Sequence, residues 1–492
     1  MNRIREMIII LLLISQFNCS NKPEETNSQA GQVSNIILIN ADDLSSASLG
    51  SYGQKVIQTP RLDQMAKEGV LFKNGYSAAT TCGPSRLSLL LGKHLGHLPY
   101  RKNAAEVDRH AICYPQLLQN KGYKTALFGK AINAHHIFGR PIGGFPSHNG
   151  FDSFVGTLTD VSAHQYYLDG KTAPQSNHPN HLWKGAHKWW VSKYDIGPSR
   201  YTQNEYVDLA LDFISENKTH PFFLYLPLQI PHRELVVPKK GELDYQVADN
   251  GLLEQYLRED GTSNFQETAY EVNRTYQRPV DMPKATYAAM ISRLDRDVGK
   301  ILDQLSTLGL KENTLVIFTS DNGFADKIPT NDSFNPKGGL RGSKGHLYEG
   351  GISVPYIFWG GKFKKNTIEA PIIGYDLATT ILDFARVQEG FETDGISWKS
   401  ALLEGIIPDR KWLYWENYYG ATRQAVLIDN RYKVIKSEVD SADYQIALYD
   451  IKKDKFEAKD LSENDDYTDV IAFARSVFER EHQPNKDFMI PN

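Results

Sequence analysis

Four oxygen-bearing side chains stand where two apolar runs of the sequence end: Asp42, Asp43, Asp321 and Asn322. The runs cover residues 36–39 and 315–318 and suit strands buried on both faces. A helix cap or a turn explains either polar pair taken alone. If both strands are parallel, their carboxyl ends meet at the edge of the sheet where ligands bind. No Cys or His accompanies the pairs, so the set predicts a Ca²⁺ or Mg²⁺ site rather than zinc.

A single cysteine lies at the predicted start of a helix. Cys82 precedes Pro84, which suits a first helical turn, and leucines follow at the spacing of one buried helix face. The free N–H groups and the dipole at a helix start favour an anion, and Arg86 adds a fixed positive charge. Two plainer interpretations stay open, a buried cysteine that acts as a small hydrophobe and a disulfide with Cys113.

Three more side chains could act on an anion held at this place. Lys130 and His232 each follow another apolar run, and Lys344 lies in the glycine-rich stretch 338–346. Glycines allow the backbone to approach a ligand closely, and a histidine beyond a strand end can serve as a general acid. A solvated lysine and a structural histidine are the alternatives for each residue taken singly.

The elements that must position these side chains follow a regular order. Five apolar runs read as buried strands, at residues 36–39, 125–128, 222–228, 315–318 and 356–359. Helical patterns lie between them, at residues 61–68, 114–119, 204–216 and 284–308. This alternation predicts an α/β fold, a large and mostly parallel sheet covered by helices on both faces. Short β-like pieces after residue 394 predict a smaller C-terminal subdomain with an antiparallel sheet.

Four segments are predicted along the chain. Residues 1–19 resemble a bacterial lipoprotein signal, with a positive start, a short apolar run and Cys19 as the residue to be lipidated. Bulky residues before Cys19 leave plain signal-peptidase cleavage as the alternative. Residues 20–34 are polar and read as a flexible tether. Residues 35–393 form the predicted catalytic domain and residues 394–492 the C-terminal subdomain.

Composition narrows the class of protein. Of the 492 residues, 41% are hydrophobic and 23% are charged, values ordinary for a globular protein. The formal net charge of −4 gives no electrostatic case for binding nucleic acid. The predicted signal implies export, to the bacterial periplasm or as an outer-membrane lipoprotein held by a lipid anchor alone.

Together the motifs resemble those of the type I formylglycine-dependent sulfatases, a family of the alkaline-phosphatase-like superfamily. The stretch Cys82-Gly83-Pro84-Ser85-Arg86 matches the family's C-x-P-S-R modification motif. The two polar pairs match its metal motifs, and residues 340–355 match a further signature, with Ser353 where arginine is common. The resemblance runs from about Asn35 to Leu461.

The resemblance implies that a separate maturation enzyme oxidises Cys82 to formylglycine, whose hydrate attacks sulfur. It also implies one divalent cation, taken as Ca²⁺, held by the four oxygen-bearing side chains together with the modified Cys82. Arg86, Lys130 and Lys344 would stabilise the sulfuryl oxygens, and His232 would protonate the leaving oxygen. Ile132 stands where many members have histidine, which leaves the group that deprotonates the hydrate undefined.

The expected substrate is a sulfated carbohydrate, with exo action on a galactose- or N-acetylgalactosamine-type glycan. Residues 92–103 and 163–167 resemble stretches of sulfatase subgroups, and from them we predict that His94, His97, Arg101 and His164 bind the sugar. His135, which follows shortly after Lys130 and Ile132, is a further predicted substrate-binding residue. Local packing is the alternative for these residues. A phosphatase or phosphonate monoester hydrolase of the same superfamily is the alternative function. A glycan-binding lipoprotein without catalysis is disfavoured by the intact Cys82, Arg86 and metal motifs.

Overall fold

The computed structural model describes most of the chain, namely residues 34–102, 107, 110–131, 135–137, 140–142, 145–158, 162–168, 182–187, 190–196, 200–238, 251–268, 280–326, 334–387, 390–420, 422–439 and 443–485. The predicted signal and nearly all of the predicted tether lie outside this range. Among the described residues, every helix is either too short or too polar to span a bilayer.

The strands are β1 Asn35–Ala41, β2 Val70–Phe72, β3 Gly75–Tyr76, β4 Lys124–Lys130, β5 His135–Ile137, β6 Arg140–Ile142, β7 Ser153–Thr157, β8 Leu182–His187, β9 Trp190–Tyr194, β10 Phe222–Pro227, β11 Thr314–Ser320, β12 Tyr356–Gly360, β13 Asn366–Ile368, β14 Ile372–Ile373, β15 Trp412–Asn417, β16 Arg423–Ile428, β17 Tyr432–Ser437 and β18 Gln445–Asp450. The α-helices are α1 Pro60–Glu68, α2 Cys82–Leu91, α3 Tyr114–Asn120, α4 Thr202–Glu216, α5 Pro283–Thr307, α6 Glu349–Ile352, α7 Asp376–Phe384, α8 Lys399–Leu403 and α9 Thr468–Glu481.

A ten-stranded sheet forms the centre of the described structure, in the order β13-β2-β12-β11-β1-β10-β4-β7-β8-β9. Five consecutive strands, from β11 to β7, are parallel to one another. In register, Ile39 of β1 lies between Phe318 of β11 and Leu226 of β10. Both faces of these strands are buried, which explains their continuous apolar sequences.

Helices cover both faces of the sheet, as predicted. Ile37 and Ile39 of β1 point into a core shared with α1, α4 and α5. Ile36 and Leu38 point the other way, into a core shared with α2, α3 and α7. Alternate side chains of β1 therefore pack into two separate hydrophobic cores, one on each face of the sheet. The predicted α/β class is confirmed.

The apolar run at residues 356–359 forms β12, which is antiparallel to its neighbour β11. The chain leaves β11 at Ser320 and returns at Tyr356, so both connections lie at the same end of the sheet. A parallel entry would need a crossover to the opposite end. An apolar run carries no information about strand direction, which is why the sequence did not predict this reversal.

The C-terminal sheet has four antiparallel strands in the order β15-β16-β17-β18. Helix α9 packs against one face, where Val477 and Phe478 meet Val426 and Leu448. The other face packs against the main domain through a core that includes Trp415. Three of these strands were predicted from the sequence, and β15 was not.

Candidate active site

The carboxyl ends of the central parallel strands meet at one place. Asp42 and Asp43 follow β1, and the backbone N–H of Asp43 donates to Asp321 Oδ1 at 3.2 Å. The backbone N–H of Asp321 donates to the carbonyl of Ala41 at 3.2 Å. Asp43 has a left-handed backbone, with φ 63°, so the chain turns sharply as it leaves the sheet. These bonds hold the two polar pairs against each other, as the sequence predicted.

Asp42, Asp43, Asp321 and Asn322, together called the acidic cluster, are almost completely buried. Asp42, Cys82 and Asp321 each offer a ligand atom, and these atoms lie within 4.8 Å of one another. The Nδ2 of Asn322 donates to Asp43 Oδ1 at 2.7 Å and to the carbonyl of Gly323 at 2.9 Å, so its amide oxygen is left to accept.

Two buried oxygens in this cluster, Asp42 Oδ1 and Asn322 Oδ1, have no hydrogen-bond partner within the described structure. Buried acceptors without a donor are rare in folded proteins, and a cation would satisfy both. The carboxylate and amide oxygens among the candidate ligands suit Ca²⁺ or Mg²⁺. The residues present therefore fit a divalent metal ion.

Three cationic side chains surround the acidic cluster. Arg86 Nε lies 2.8 Å from Asp321 Oδ2, and its side chain is 1% exposed. Lys130 Nζ lies 2.6 Å from Asp42 Oδ2, and Lys344 Nζ lies 2.6 Å from Asp43 Oδ1. Helix α2, the end of β4 and the glycine-rich loop each contribute one of these charges, so three separate parts of the chain converge here.

Burial raises the pKa values of the buried carboxyl groups, and neighbouring positive charges lower them. Burial, with the neighbouring charge of Asp42, raises the pKa of Asp321 to about 6. Burial also raises the pKa of Asp42, but the positive charges of Lys130, His232 and Arg86 outweigh it and hold that pKa well below its usual value. Asp42 is therefore ionised. The site thus combines buried carboxylates with three cationic side chains that contact them.

Cys82 is the first residue of α2 and is 3% exposed. The backbone N–H of Ser85 already donates to the carbonyl of Thr81, as in a regular first turn. Cys82 and Cys113 form no disulfide in the described chain, which removes one of the two plainer interpretations. The side chain at position 82 thus lies where the helix start, the acidic cluster and Arg86 meet.

Two histidines lie beside the cluster. The rings of His164 and His232 are in edge contact, with centroids 4.5 Å apart. The Nδ1 of each bonds to the carbonyl oxygen of Arg233, which only accepts, so each Nδ1 carries a hydrogen. His232 Nε2 then faces the cluster, 3.4 Å from Asp43 Oδ2. Burial and the charge of Lys344 lower the pKa of His232 well below its usual value.

The family of this chain follows from its similarity to known proteins. A model of the family described as Sulfatase matches residues 34–387, which is most of the chain. The chain belongs to the sulfatase family. A second model, described as N-sulphoglucosamine sulphohydrolase, C-terminal, matches residues 343–483, a range that includes the four-stranded sheet. The protein is accordingly an enzyme, a sulfatase, and the resemblance drawn from its motifs is confirmed.

Individual relatives agree with this assignment. N-acetylgalactosamine-6-sulfatase of Homo sapiens is 30% identical over 427 residues, covering 82% of this chain and 71% of the relative. An arylsulfatase of Clostridium perfringens is 26% identical over 477 residues, covering 91% and 94%. The solved structure of Ps i-CgsB in complex with k-i-k-neocarrahexaose is 25% identical, with a TM-score of 0.71 and coverage of 92% and 94%.

Three of the predicted sugar-binding residues of this sulfatase, His94, His97 and Arg101, follow the C-terminal end of α2. His97 Nδ1 bonds to Asp394 Oδ1 at 2.9 Å, and His94 Nε2 bonds to Glu481 Oε2 at 3.1 Å. Arg101 is 2% exposed and forms an ion pair with Glu416 at 3.0 Å. These contacts tie the turn after α2 to the C-terminal subdomain.

The remaining two predicted sugar-binding residues are His164, which lies in the site, and His135, whose side chain is not described. His164 lies in the sulfatase site, against His232. The side chain of His135 lies outside the described residues, although its backbone belongs to β5. The loop after β15, which the sequence did not single out, lies next to Lys344, because Asn417 Nδ2 donates to the carbonyl of Gly345 at 3.2 Å. Its composition, Asn417-Tyr418-Tyr419, carries only the weak signal of adjacent aromatic residues.

Proposed function

We propose that this sulfatase removes sulfate from a sulfated carbohydrate, with formylglycine made from Cys82 as the nucleophile precursor. The observation that carries the proposal is the placement of Cys82 at a helix start between buried carboxylates and three cations. A sulfate ester is an anion whose reaction builds charge on its oxygens, and such a ring of cations suits it.

The sugar class rests on the relatives. One is named N-acetylgalactosamine-6-sulfatase, and a similar solved structure holds neocarrahexaose. We therefore propose a galactose- or N-acetylgalactosamine-type glycan, attacked at its terminal residue. His164 lies beside the site and would contact the sugar.

Asp42, Asp43, Asp321 and Asn322, with the group derived from Cys82, would hold one Ca²⁺ ion. When bound, that ion supplies Lewis-acid stabilisation of charge on a sulfuryl oxygen. The unsatisfied oxygens Asp42 Oδ1 and Asn322 Oδ1 support this ligand set. Their oxygen-only chemistry favours Ca²⁺ over a transition metal.

The protein's own side chains would divide the remaining work. As its hydrate, formylglycine at position 82 supplies the oxygen that attacks sulfur, and the aldehyde re-forms when sulfate leaves. Arg86, Lys130 and Lys344 orient the sulfate and offset its charge. His232, whose Nε2 faces the site, donates a proton to the departing sugar oxygen. The negative charge of bound substrate raises the proton affinity of His232, which burial lowers in the free enzyme.

We further propose that a separate maturation enzyme converts Cys82, and that the protein is exported. Cys19 would carry the lipid that anchors it to the outer membrane, with residues 20–34 as the tether. The hydrophobic run before Cys19 supports export.

The first experiment is mass spectrometry of the tryptic peptide that contains Cys82, after expression with a formylglycine-generating enzyme. The peptide should carry the aldehyde, and the protein should release free sulfate from N-acetylgalactosamine 6-sulfate. Cys82→Ala should fold and release none. Sulfate release by Cys82→Ala at the wild-type rate would refute the assigned nucleophile.

A further inference from the structure

We propose that the loop at residues 417–420 forms a sugar-binding subsite, in which the ring of Tyr419 stacks on a sugar ring of the sulfated substrate. This inference rests on the proposed function and specifies where the glycan lies. The loop leaves the end of β15, so the C-terminal subdomain would contribute to substrate choice.

The ring of Tyr419 lies over the backbone next to a predicted catalytic cation. Gly345 follows Lys344 and has a left-handed backbone, with φ +91°. A Cβ atom at Gly345 would lie 2.8 Å from Cδ1 of Tyr419, a distance shorter than Cβ atoms keep from other atoms in proteins. The Tyr419 ring therefore packs directly on the Gly345 backbone. Lys344 forms an ion pair with Asp43 of the acidic cluster. Tyr419 therefore packs against the residue that directly follows a side chain of the sulfate site.

A cleft of 210 Å³ opens beside this loop. Arg101, predicted from the sequence to bind sugar, lines it together with Thr80, Thr81, Pro84, Tyr418 and Tyr419. Cys82 lies between two of these residues in the sequence, so the cleft runs along the segment that carries the nucleophile. Pockets for drug-sized ligands start at roughly 300 Å³, so this smaller space suits a single sugar ring.

Hydrogen bonds hold the loop in place before any substrate arrives. Thr80 Oγ1 donates to Asn417 Oδ1 at 2.6 Å, and Asn417 Nδ2 donates to the carbonyl of Tyr419 at 3.1 Å. The backbone N–H of Tyr419 donates back to Asn417 Oδ1 at 3.2 Å. Asn417 is 2% exposed, so solvent competes little for these bonds. A subsite built in this way loses little conformational entropy on binding.

The exposure of Tyr419 points to a ligand. Its side chain is 52% exposed, whereas the neighbouring Tyr418 is 9% exposed and bonds to Glu416. An aromatic ring offers an apolar face, and a sugar ring presents the C–H groups that pack against one. Tyr419 thus combines a fixed backbone, an open ring face and a position beside the sulfate site.

Binding of N-acetylgalactosamine 6-sulfate to the Cys82→Ala protein, measured by calorimetry, tests the subsite without turnover. Adding Tyr419→Ala should weaken binding about tenfold, near the upper end for an aromatic contact. Tyr419→Phe keeps the ring and should bind within twofold of its parent. Phe456→Ala, which removes another exposed ring of the same subdomain, should also bind within twofold.

Inorganic sulfate, used as a competitive inhibitor of the mature enzyme, separates stacking from support of the Gly345 turn. Tyr419→Ala should leave its inhibition constant unchanged and raise KM for the sulfated sugar with kcat within twofold. Unchanged sugar binding, or an equal loss of sugar and sulfate binding, would overturn the subsite. Failure of the wild-type enzyme to release sulfate would refute the proposed function instead, since the calorimetry requires no turnover.

Discussion

A buried lysine at the junction between the two sheets should be essential for stability. Lys433 of β17 lies between two carboxylates, with Nζ 2.8 Å from Glu349 Oε1 and 2.6 Å from Glu457 Oε1. The Lys433 side chain is 0% exposed, and those of Glu349 and Glu457 are 9% and 0% exposed. The backbone N–H of Glu349 also donates to Glu457 Oε2 at 2.7 Å. Lys433→Met would remove the only positive member of this triad and leave two buried negative charges together.

Breaking a buried ion pair from one side typically costs about 3–5 kcal/mol. Burial and the charge of Glu349 already raise the pKa of Glu457, so this carboxyl can take up a proton when Lys433 is lost. We therefore expect Lys433→Met to lower the free energy of unfolding by about 3 kcal/mol, at the lower end of that range. Adding Glu349→Gln and Glu457→Gln should recover most of the loss, because no buried charge then remains.

Urea unfolding followed by tryptophan fluorescence measures this effect, since the buried Trp415 lies in the same sheet. Arg431→Met is the matched control, because Arg431 pairs with Asp450 at 2.8 Å but is 36% exposed. An exposed pair contributes about 1 kcal/mol or less. If Lys433→Met loses no more stability than Arg431→Met, the triad is not a buried charge cluster and the reasoning is wrong.

Two further predictions concern the site itself. His232→Ala should lower kcat on a sugar sulfate by roughly 10²–10⁴-fold but on 4-nitrophenyl sulfate far less, because a nitrophenolate leaves without a proton. Equal losses on both substrates would contradict the general-acid role. Ca²⁺ at 100 times its Kd should raise the free energy of unfolding of the wild type by about 2.7 kcal/mol and so raise its melting temperature. Asp321→Asn should abolish this rise. The same calcium-dependent shift in both proteins would exclude Asp321 as a ligand.

The central part of the fold and the acidic cluster could be predicted from the sequence because both depend on local patterns. Continuous apolar runs identify strands buried on both faces, and the residues that follow parallel strands must share one edge of the sheet. The runs before Asp42 and Asp321 are neighbours in register, so their polar pairs meet. This geometric necessity needs no knowledge of side-chain contacts.

Contacts between distant segments could not be predicted in this way. The motif that contains His94 and His97 was visible in the sequence, but their partners Asp394 and Glu481 lie far along the chain and could not be identified from it. Strand β15 was missed because the aromatic residues and the glutamate of Trp412–Asn417 give no clear alternation. The loop that contains Tyr419 was missed because two adjacent aromatic residues carry only a weak signal.

The order of strands in the main sheet has a consequence for how such an enzyme can change over evolution. The acidic cluster lies at the ends of β1 and β11, which stand well inside the ten-stranded sheet, while Tyr419 belongs to a loop of the separate C-terminal sheet. Mutations in that loop leave the register of the central strands untouched. The glycan accepted by the enzyme can therefore diverge between lineages, or be redesigned in the laboratory, while the sulfate chemistry is inherited intact.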